Sequence, residues 1–176
     1  MAEDIEQDGK PAAGLPWQAL VHDALPRVAA GAGTPQFAQH RSDALRQGLE
    51  FEWWMVMVYR EHGNPEMLHE NFTGSWRARG LTTYVGGFYV LDPFYIMSRS
   101  LDHPEVCRLG DIAPDGFLES EYHRAHYASG RIGDEINYLW PLEPGVTLAI
   151  SLERSEHCVP FGDADVGRME AVQPLL

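Results

Sequence analysis

The segment FEWWMVMVYR, at residues 51–60, decides the fold class of this 176-residue chain. Successive side chains of a strand point to opposite faces, and here both faces are apolar. One face carries Trp53, Met55, Met57 and Tyr59, and the other carries Trp54, Val56 and Val58. A strand that is apolar on both faces is central in its sheet and covered on both sides. The segment therefore predicts a layered α/β domain.

Further elements are predicted on both sides of this strand. Turn residues at 62–65 separate the first strand from one expected at 67–72, and those at 143–145 separate strands expected at 134–142 and 146–154. A further strand is expected at 105–109. Apolar residues at helical spacing predict helices at 17–30, 35–45, 115–127 and 161–176, and a helical stretch at 75–100 broken at Gly86-Gly87 and Pro93. Thr34 is expected to cap the second helix, with Pro35 at its first position. This order predicts about five antiparallel strands with helices on both faces.

Length and composition predict a single soluble domain. The chain is 44% hydrophobic and 11% aromatic, which is typical of a globular protein and allows one substantial core. The first 14 residues are polar and contain glycine and proline, so they are expected to be flexible. The folded domain is therefore predicted at residues 15–176.

The charge balance argues against nucleic acid as a direct partner. The formal net charge is -13 and the sequence contains one lysine, Lys10, with its arginines scattered. Binding to a phosphate backbone depends on clustered Lys and Arg, so this chain is expected to bind neither DNA, RNA nor anionic membranes by itself.

Cysteine usage and the N-terminus indicate a cytoplasmic setting. Cys107 and Cys158 lie far apart and form no disulfide framework or zinc spacing. The N-terminus is acidic and lacks the features of a signal peptide. No apolar run approaches the roughly 20 residues that span a bilayer, so no membrane association is predicted.

An aromatic stretch around one carboxylate predicts a pocket for a small ligand. Trp76, Tyr84, Tyr89 and Tyr95 surround Asp92-Pro93 in apolar sequence. Two roles are open for Asp92, and both can hold together: an N-cap before a proline at the first helical position, or an acceptor for a ligand N–H. Each ring packs in the core by default, but their density favours some lining a cavity. In the last strand Thr147, Ala149 and Ser151 share one face and are small enough to leave room.

An enzyme or metalloprotein is the alternative. His123 and His126 lie three residues apart on a predicted helix, a spacing that can hold a metal, but the sequence shows no third convincing ligand. Cys107 is a possible nucleophile, although a buried structural thiol is the simpler interpretation. The sequence has no nucleophile elbow, phosphate loop or dinucleotide fingerprint. We therefore predict no catalytic residue, no metal and no cofactor.

From about Phe51 onward the sequence resembles the ligand-sensing domain of LuxR-family transcriptional regulators. The resemblance is carried by Asn71-Phe72 followed by Trp76, by Asp92-Pro93, by the Pro141-Leu142 and Gly145 hairpin, and by the strand at 148–152. It implies a GAF/PAS-like α-β-α sandwich, with the ligand between the sheet and the helices at 76–97. In the family pattern the aromatic residue and the tryptophan contact the ligand head group, which implies this role for Phe72 and Trp76.

The same resemblance implies further ligand contacts. The family's aspartate accepts the ligand amide, which implies that role for Asp92, and a serine of the last strand meets a ligand carbonyl, which implies Ser151. Phe72 stands where acyl-homoserine-lactone receptors usually have tyrosine, so one hydrogen bond to the ligand would be lost and a lactone is not inferred. The complete set of ligand contacts expected is Trp54, Phe72, Trp76, Tyr84, Tyr89, Asp92, Tyr95, Trp140 and Ser151.

The implied function is small-molecule sensing for transcriptional control. The partners expected are a mostly apolar effector and a second copy of the chain in a homodimer. DNA would be bound only through the helix-turn-helix module of the family, which is expected after Leu176 and is not in these 176 residues.

Overall fold

The computed structural model describes residues 17–34, 36–72 and 75–172. Its α-helices are α1 (Trp17–Ala30), α2 (Phe37–Leu45), α3 (Ser75–Val85), α4 (Pro93–Ser98), α5 (Leu109–Ile112) and α6 (Asp163–Ala171). Its strands are β1 (Trp53–Arg60), β2 (Glu66–Glu70), β3 (Glu105–Arg108), β4 (Ile132–Glu143) and β5 (Val146–Ser155). Short 3₁₀ helices span Phe88–Leu91 and Phe117–Glu119, and a π-helix spans His123–Ala128.

The five strands form one antiparallel sheet in the order β2-β1-β5-β4-β3. β1 pairs with both β2 and β5, so the apolar segment at 51–60 is interior to the sheet, as its two apolar faces require. The β4–β5 hairpin turns at Gly145, whose φ of 77° lies in the left-handed region that favours glycine.

Two helical layers cover the sheet. On one face, which we call the α6 face, the end of α2 and α6 pack on Trp54, Val56, Ile136, Ile150 and Leu152. On the other, which we call the tyrosine face, α3, α4, α5 and the π-helix pack on Met55, Met57, Tyr59, Leu139 and Ala149. The alternation along β1 is the one that its sequence predicts. The α-β-α sandwich with a five-stranded antiparallel sheet is confirmed.

Most predicted elements are present, with corrections at their ends. The stretch at 75–100 breaks into α3, a 3₁₀ turn and α4 at Gly86-Gly87 and before Pro93, as predicted. Thr34 does not cap α2: its hydroxyl donates to the carbonyl of Gly31 at 2.7 Å, and Gln36 occupies the N-cap without a side-chain bond. The expected helix at 115–127 is divided, because the chain turns between Phe117–Glu119 and His123–Ala128.

Some predictions fall on parts of the chain that are not described. The flexible segment at 1–14, Pro35 and the last four residues of the helix expected at 161–176 lie outside the described residues. None of the helices in the described ranges is long and apolar enough to cross a membrane.

Candidate ligand-binding site

Asp92 immediately precedes α4 as its N-cap, on the tyrosine face, and is 4% exposed. Its Oδ1 accepts a hydrogen bond from the backbone N–H of Phe94 at 2.8 Å. Pro93 occupies the first helical position, where the missing N–H costs no helical hydrogen bond. The prediction that Asp92 is an N-cap is confirmed. The cap occupies one carboxylate oxygen, Oδ1, and leaves Oδ2 for other partners.

The second oxygen of Asp92 is held by two tyrosines. The hydroxyl of Tyr84 donates to Oδ2 at 2.5 Å, and that of Tyr59 reaches the same oxygen at 3.4 Å. The two hydroxyls are themselves 2.7 Å apart. Burial raises the pKa of Asp92 to about 6, although these hydrogen bonds act to lower it. At neutral pH the carboxylate is therefore mostly ionised and can accept a hydrogen bond from a ligand in place of the long Tyr59 bond.

Four tyrosine rings form a cluster beside this carboxylate. The ring of Tyr95 meets Tyr59 edge to face at 5.3 Å and Tyr89 at 4.9 Å, measured between centroids. Tyr84 lies 6.5 Å from Tyr89. Edge-to-face pairs of this kind stabilise one another beyond their buried area. Three residues expected from sequence to contact a ligand, Tyr84, Tyr89 and Tyr95, are thus brought together around Tyr59, which the sequence analysis did not select.

A cleft of ≈ 500 Å³ opens at the end of the tyrosine face, between the C-terminus of α4 and the β4–β5 hairpin. Tyr59 belongs both to the wall of this cleft and to the tyrosine cluster. Ser98 and Thr147 also line it, and its volume lies within the range of roughly 300–1,000 Å³ typical of small-molecule sites. Its remaining walls are Arg60, Glu61, Arg99, Leu101, Asp102, Pro141, Leu142, Glu143, Pro144 and Gly145.

A second, much smaller cavity of ≈ 40 Å³ lies at the other end of the same face. Phe72 and Tyr84, both expected ligand contacts, line it together with Met55 and His126. It has room for about one or two water molecules rather than an organic ligand of ordinary size. The Asp92 carboxylate thus lies between a large cleft on the Tyr59 side and a small cavity on the Tyr84 side.

The floor of the tyrosine face carries a second polar cluster, centred on Glu135 of β4. Its Oε1 accepts hydrogen bonds from Asn137 Nδ2 at 2.7 Å and Ser151 Oγ at 2.6 Å, and its Oε2 accepts one from Tyr127 at 2.5 Å. Ser151, expected to meet a ligand carbonyl, is fully buried and donates to this glutamate. Burial, reinforced by the nearby Glu153 and Asp92 carboxyls, raises the pKa of Glu135 to about 8.

Glu153 of β5 lies directly across the strand pair from Glu135, and both are buried. Within the described ranges, one group of possible metal-binding side chains converges: a ring nitrogen of His126 and one carboxylate oxygen each of Glu135 and Glu153 lie within 4.8 Å of one another. Neither glutamate belongs to a motif that could be recognised in the sequence. The available signal was their position: both stand at strand positions that alternate with core residues such as Ile136 and Leu152.

Of the residues of the enzyme or metalloprotein alternative, His126 joins the two glutamates, whereas Cys107 and His123 are not part of that group. Burial raises the pKa of the Cys107 thiol well above its usual range, which disfavours the nucleophilic thiolate. The ring of His123 stacks on Tyr127 at 5.9 Å and is not part of the group formed by His126 and the two glutamates.

The structure divides the expected ligand contacts between the two faces of the sheet. Phe72, Tyr84, Tyr89, Asp92, Tyr95 and Ser151 lie on the tyrosine face. Trp54 and Trp140 instead pack on the α6 face, where Trp54 lines a separate cavity of ≈ 190 Å³ under α2. One pocket cannot contain both sets, because the sheet separates them. The side chain of Trp76 lies outside the described part of the chain.

Comparison with solved structures identifies neighbours with this architecture. The LBD domain of VqsR from Pseudomonas aeruginosa has a TM-score of 0.75 and 25% sequence identity, covering 87% of this chain and 89% of that one. The N-acylhomoserine lactone dependent LuxR-family transcription factor CepR2 from Burkholderia cenocepacia has a TM-score of 0.63 and 16% identity, covering 90% and 89%. SdiA from Escherichia coli has a TM-score of 0.58 and 14% identity, covering 91% and 69%.

Neighbours beyond these share the fold more broadly. A far-red absorbing chain with bound biliverdin, JSC1_58120g3, has a TM-score of 0.57 and 14% identity, covering 89% of this chain and 94% of that one. No protein-family model matches the sequence, and no curated protein matches it. The structural neighbours of this chain therefore include ligand-binding domains of LuxR-family regulators, and the resemblance inferred from sequence is confirmed in the structure.

Proposed function

We propose that this chain is the small-molecule-sensing domain of a LuxR-type transcriptional regulator. The observation that carries the proposal is the buried Asp92 carboxylate, which caps α4 with one oxygen and presents the other to the Tyr59 and Tyr84 hydroxyls. Its setting supports the proposal, because the structural neighbours are ligand-binding domains of such regulators. The effector would bind between the sheet and the α3–α4 layer.

The geometry favours an effector with an apolar body and one N–H or O–H donor. Its donor would replace the 3.4 Å hydrogen bond from Tyr59 to Asp92, since this is the weakest bond on the carboxylate. Its body would occupy the ≈ 500 Å³ cleft, where Leu101 and Leu142 supply apolar wall. Tyr59 joins the two parts, because its side chain lines the cleft while its hydroxyl reaches Asp92.

The position of Asp92 suggests how binding would be communicated. The same carboxylate caps α4 and receives the Tyr84 hydroxyl from α3, so an effector that bonds to it changes contacts of two helices together. We propose that this change sets the geometry of a homodimer and so the activity of a helix-turn-helix module. We also propose a cytoplasmic, non-enzymatic role, in which the acidic chain itself does not contact DNA.

Native mass spectrometry tests this function directly. Wild-type protein, Asp92→Asn and the exposed control Asp115→Asn are purified identically and examined for a small molecule that co-purifies. We expect an adduct on wild type and on the control, and at least a tenfold lower occupancy on Asp92→Asn, because the amide replaces an ionised acceptor with a weaker one.

A second measurement makes the proposal refutable when no molecule co-purifies. The same three proteins are screened by thermal melting against acyl lactones, aromatic acids and amines. A ligand at about 100 times its Kd stabilises the folded state by roughly 2.7 kcal/mol, which is readily detected. If no compound shifts the melting temperature and no adduct is seen, or if Asp92→Asn binds like wild type, this site does not sense a small molecule.

A further inference from the structure

We propose that His126, Glu135 and Glu153 form a binding site for a divalent metal ion of the Zn²⁺ class, between the π-helix and the sheet. One donor atom from each side chain lies within 4.8 Å of the other two. Zn²⁺ binds imidazole nitrogen and carboxylate oxygen at about 2.0–2.2 Å, so the three donors would close on an ion through small side-chain adjustments. This inference concerns a different ligand from the effector proposed above.

The two glutamates place two carboxyl groups side by side in the interior. Glu135 and Glu153 are a directly opposed pair on adjacent antiparallel strands, and they are 3% and 0% exposed. Three hydrogen-bond donors converge on Glu135 and fix the orientation of its carboxyl group. A divalent ion would bind to both carboxyls at once.

The ring of Tyr122 packs against the histidine of this site. It stacks on His126 with centroids 5.4 Å apart and planes inclined by 13°. Its hydroxyl is buried and acts as a hydrogen-bond partner that lowers the pKa of Asp92. Stacking on a buried ring restricts the orientation of the His126 imidazole.

The surroundings of the three donors suit a metal rather than an organic cation. The ≈ 40 Å³ cavity reaches the site at His126, which gives an ion a path from the surface but leaves no room for an organic amine. Tyr127, Asn137 and Ser151 hold the Glu135 carboxylate in place, as hydrogen-bonded neighbours of metal-binding carboxylates do. His126 also lies within a π-helical turn, a rare conformation that is frequent at functional sites.

The test is a Zn²⁺ titration of the whole chain after treatment with a chelator, in competition with a chromophoric indicator. We expect one high-affinity ion per chain. His126→Asn and Glu153→Gln should each weaken binding at least about tenfold, since even the outer partners of metal ligands change affinity by 10–100-fold. His157→Asn is the matched control, because His157 lies 3.7 Å from the Glu156 carboxylate on the surface and should not alter the affinity.

Glu153→Gln keeps the test valid if His126→Asn folds poorly. Replacing one of two opposed buried carboxyls removes a repulsion, so this variant should be at least as stable as wild type without metal. Wild-type protein that binds no Zn²⁺, or wild type and Glu153→Gln with equal affinity, would overturn the proposal and leave the two glutamates sharing a proton.

The outcome is separable from the effector proposal. The titration uses Zn²⁺ alone, and Asp92→Asn should still bind one Zn²⁺ per chain, with an affinity lowered less than in Glu153→Gln, because Asp92 is not among the three ligands and supplies only a neighbouring charge. A failed Zn²⁺ titration beside a successful effector screen would remove the metal site only, and the reverse result would remove the Asp92 site only.

Discussion

Asp92 offers the sharpest test of how the tyrosine face is built, because alanine and asparagine remove different parts of its interactions. Asp92→Ala removes the acceptor for the Phe94 N–H and so loses the N-cap, at about 1 kcal/mol. It also removes the acceptor for Tyr84. Since Tyr59 and Tyr84 are 2.7 Å apart and can bond to each other, one hydroxyl is left unsatisfied, at about 1–3 kcal/mol. The expected total is roughly 2–4 kcal/mol.

Asp92→Asn should cost far less. The amide oxygen can accept the Phe94 N–H, and asparagine caps helices about as well as aspartate. The amide N–H₂ can donate to Tyr84, whose hydroxyl then donates to Tyr59, and the Tyr59 hydrogen turns toward the cleft that its side chain lines. The variant also removes a buried charge. We therefore expect its free energy of unfolding at neutral pH to lie within about 1 kcal/mol of wild type.

Urea unfolding followed by tryptophan fluorescence measures the difference. The m-values should agree among wild type, both variants and the exposed control Asp115→Asn, so that shifts in midpoint report stability. If Asp92→Asn loses as much stability as Asp92→Ala, the ionised carboxylate is required by the fold itself. The second carboxylate oxygen would then not be available to a ligand.

Two further predictions concern pH and glycine. The pKa of Asp92 is raised from 3.8 to about 6, so its protonation contributes stability that is fully present below pH 3.8 and is lost as the pH rises through 6. In wild type the urea midpoint should therefore fall between about pH 4 and pH 7. Asp92→Asn should reduce that fall, because it removes the titrating group. A Cβ at Gly133 would lie 2.7 Å from the carbonyl oxygen of Ser155, so Gly133→Ala should destabilise the fold by about 1–3 kcal/mol. Gly167 lies within α6, and a Cβ there would meet no atom within 4 Å. Gly167→Ala should therefore stabilise the fold by roughly 0.5–1 kcal/mol in the same assay.

The layering of the fold could be predicted because the apolar or polar character of each face of a strand indicates whether that face is buried. β1 is apolar on both faces, and the two sets of side chains do pack in different layers. Glycine pairs and prolines likewise mark breaks whose cause is local, as at Pro93. Thr34 failed as a cap because a second local bond, to the Gly31 carbonyl, competes for the same hydroxyl.

The candidate site was only partly predictable, because it depends on which strands become neighbours. Asp92 was found from its local N-cap pattern, but its bond to Tyr59 joins residues 33 positions apart. Glu135 and Glu153 become partners only once β4 and β5 pair in their observed register. Trp54 and Trp140 were expected to line the pocket beside Asp92, because tryptophan is a residue type that suits a ligand pocket. The alternation of side chains along their strands directs both to the α6 face instead.

The two polar clusters on the tyrosine face are electrostatically linked, and this gives the two proposed sites a physical connection. The Asp92 and Glu135 carboxyls each lie in a buried setting, and the charge of Asp92 acts to raise the pKa of Glu135. A cation held by Glu135 and Glu153 would reverse the sign of that field at Asp92 and favour its ionised, hydrogen-bond-accepting form. Below about pH 6, where Asp92 is largely protonated, effector affinity at Asp92 would then rise with metal occupancy. Since coupling between binding equilibria is reciprocal, a bound effector would tighten the metal by the same factor.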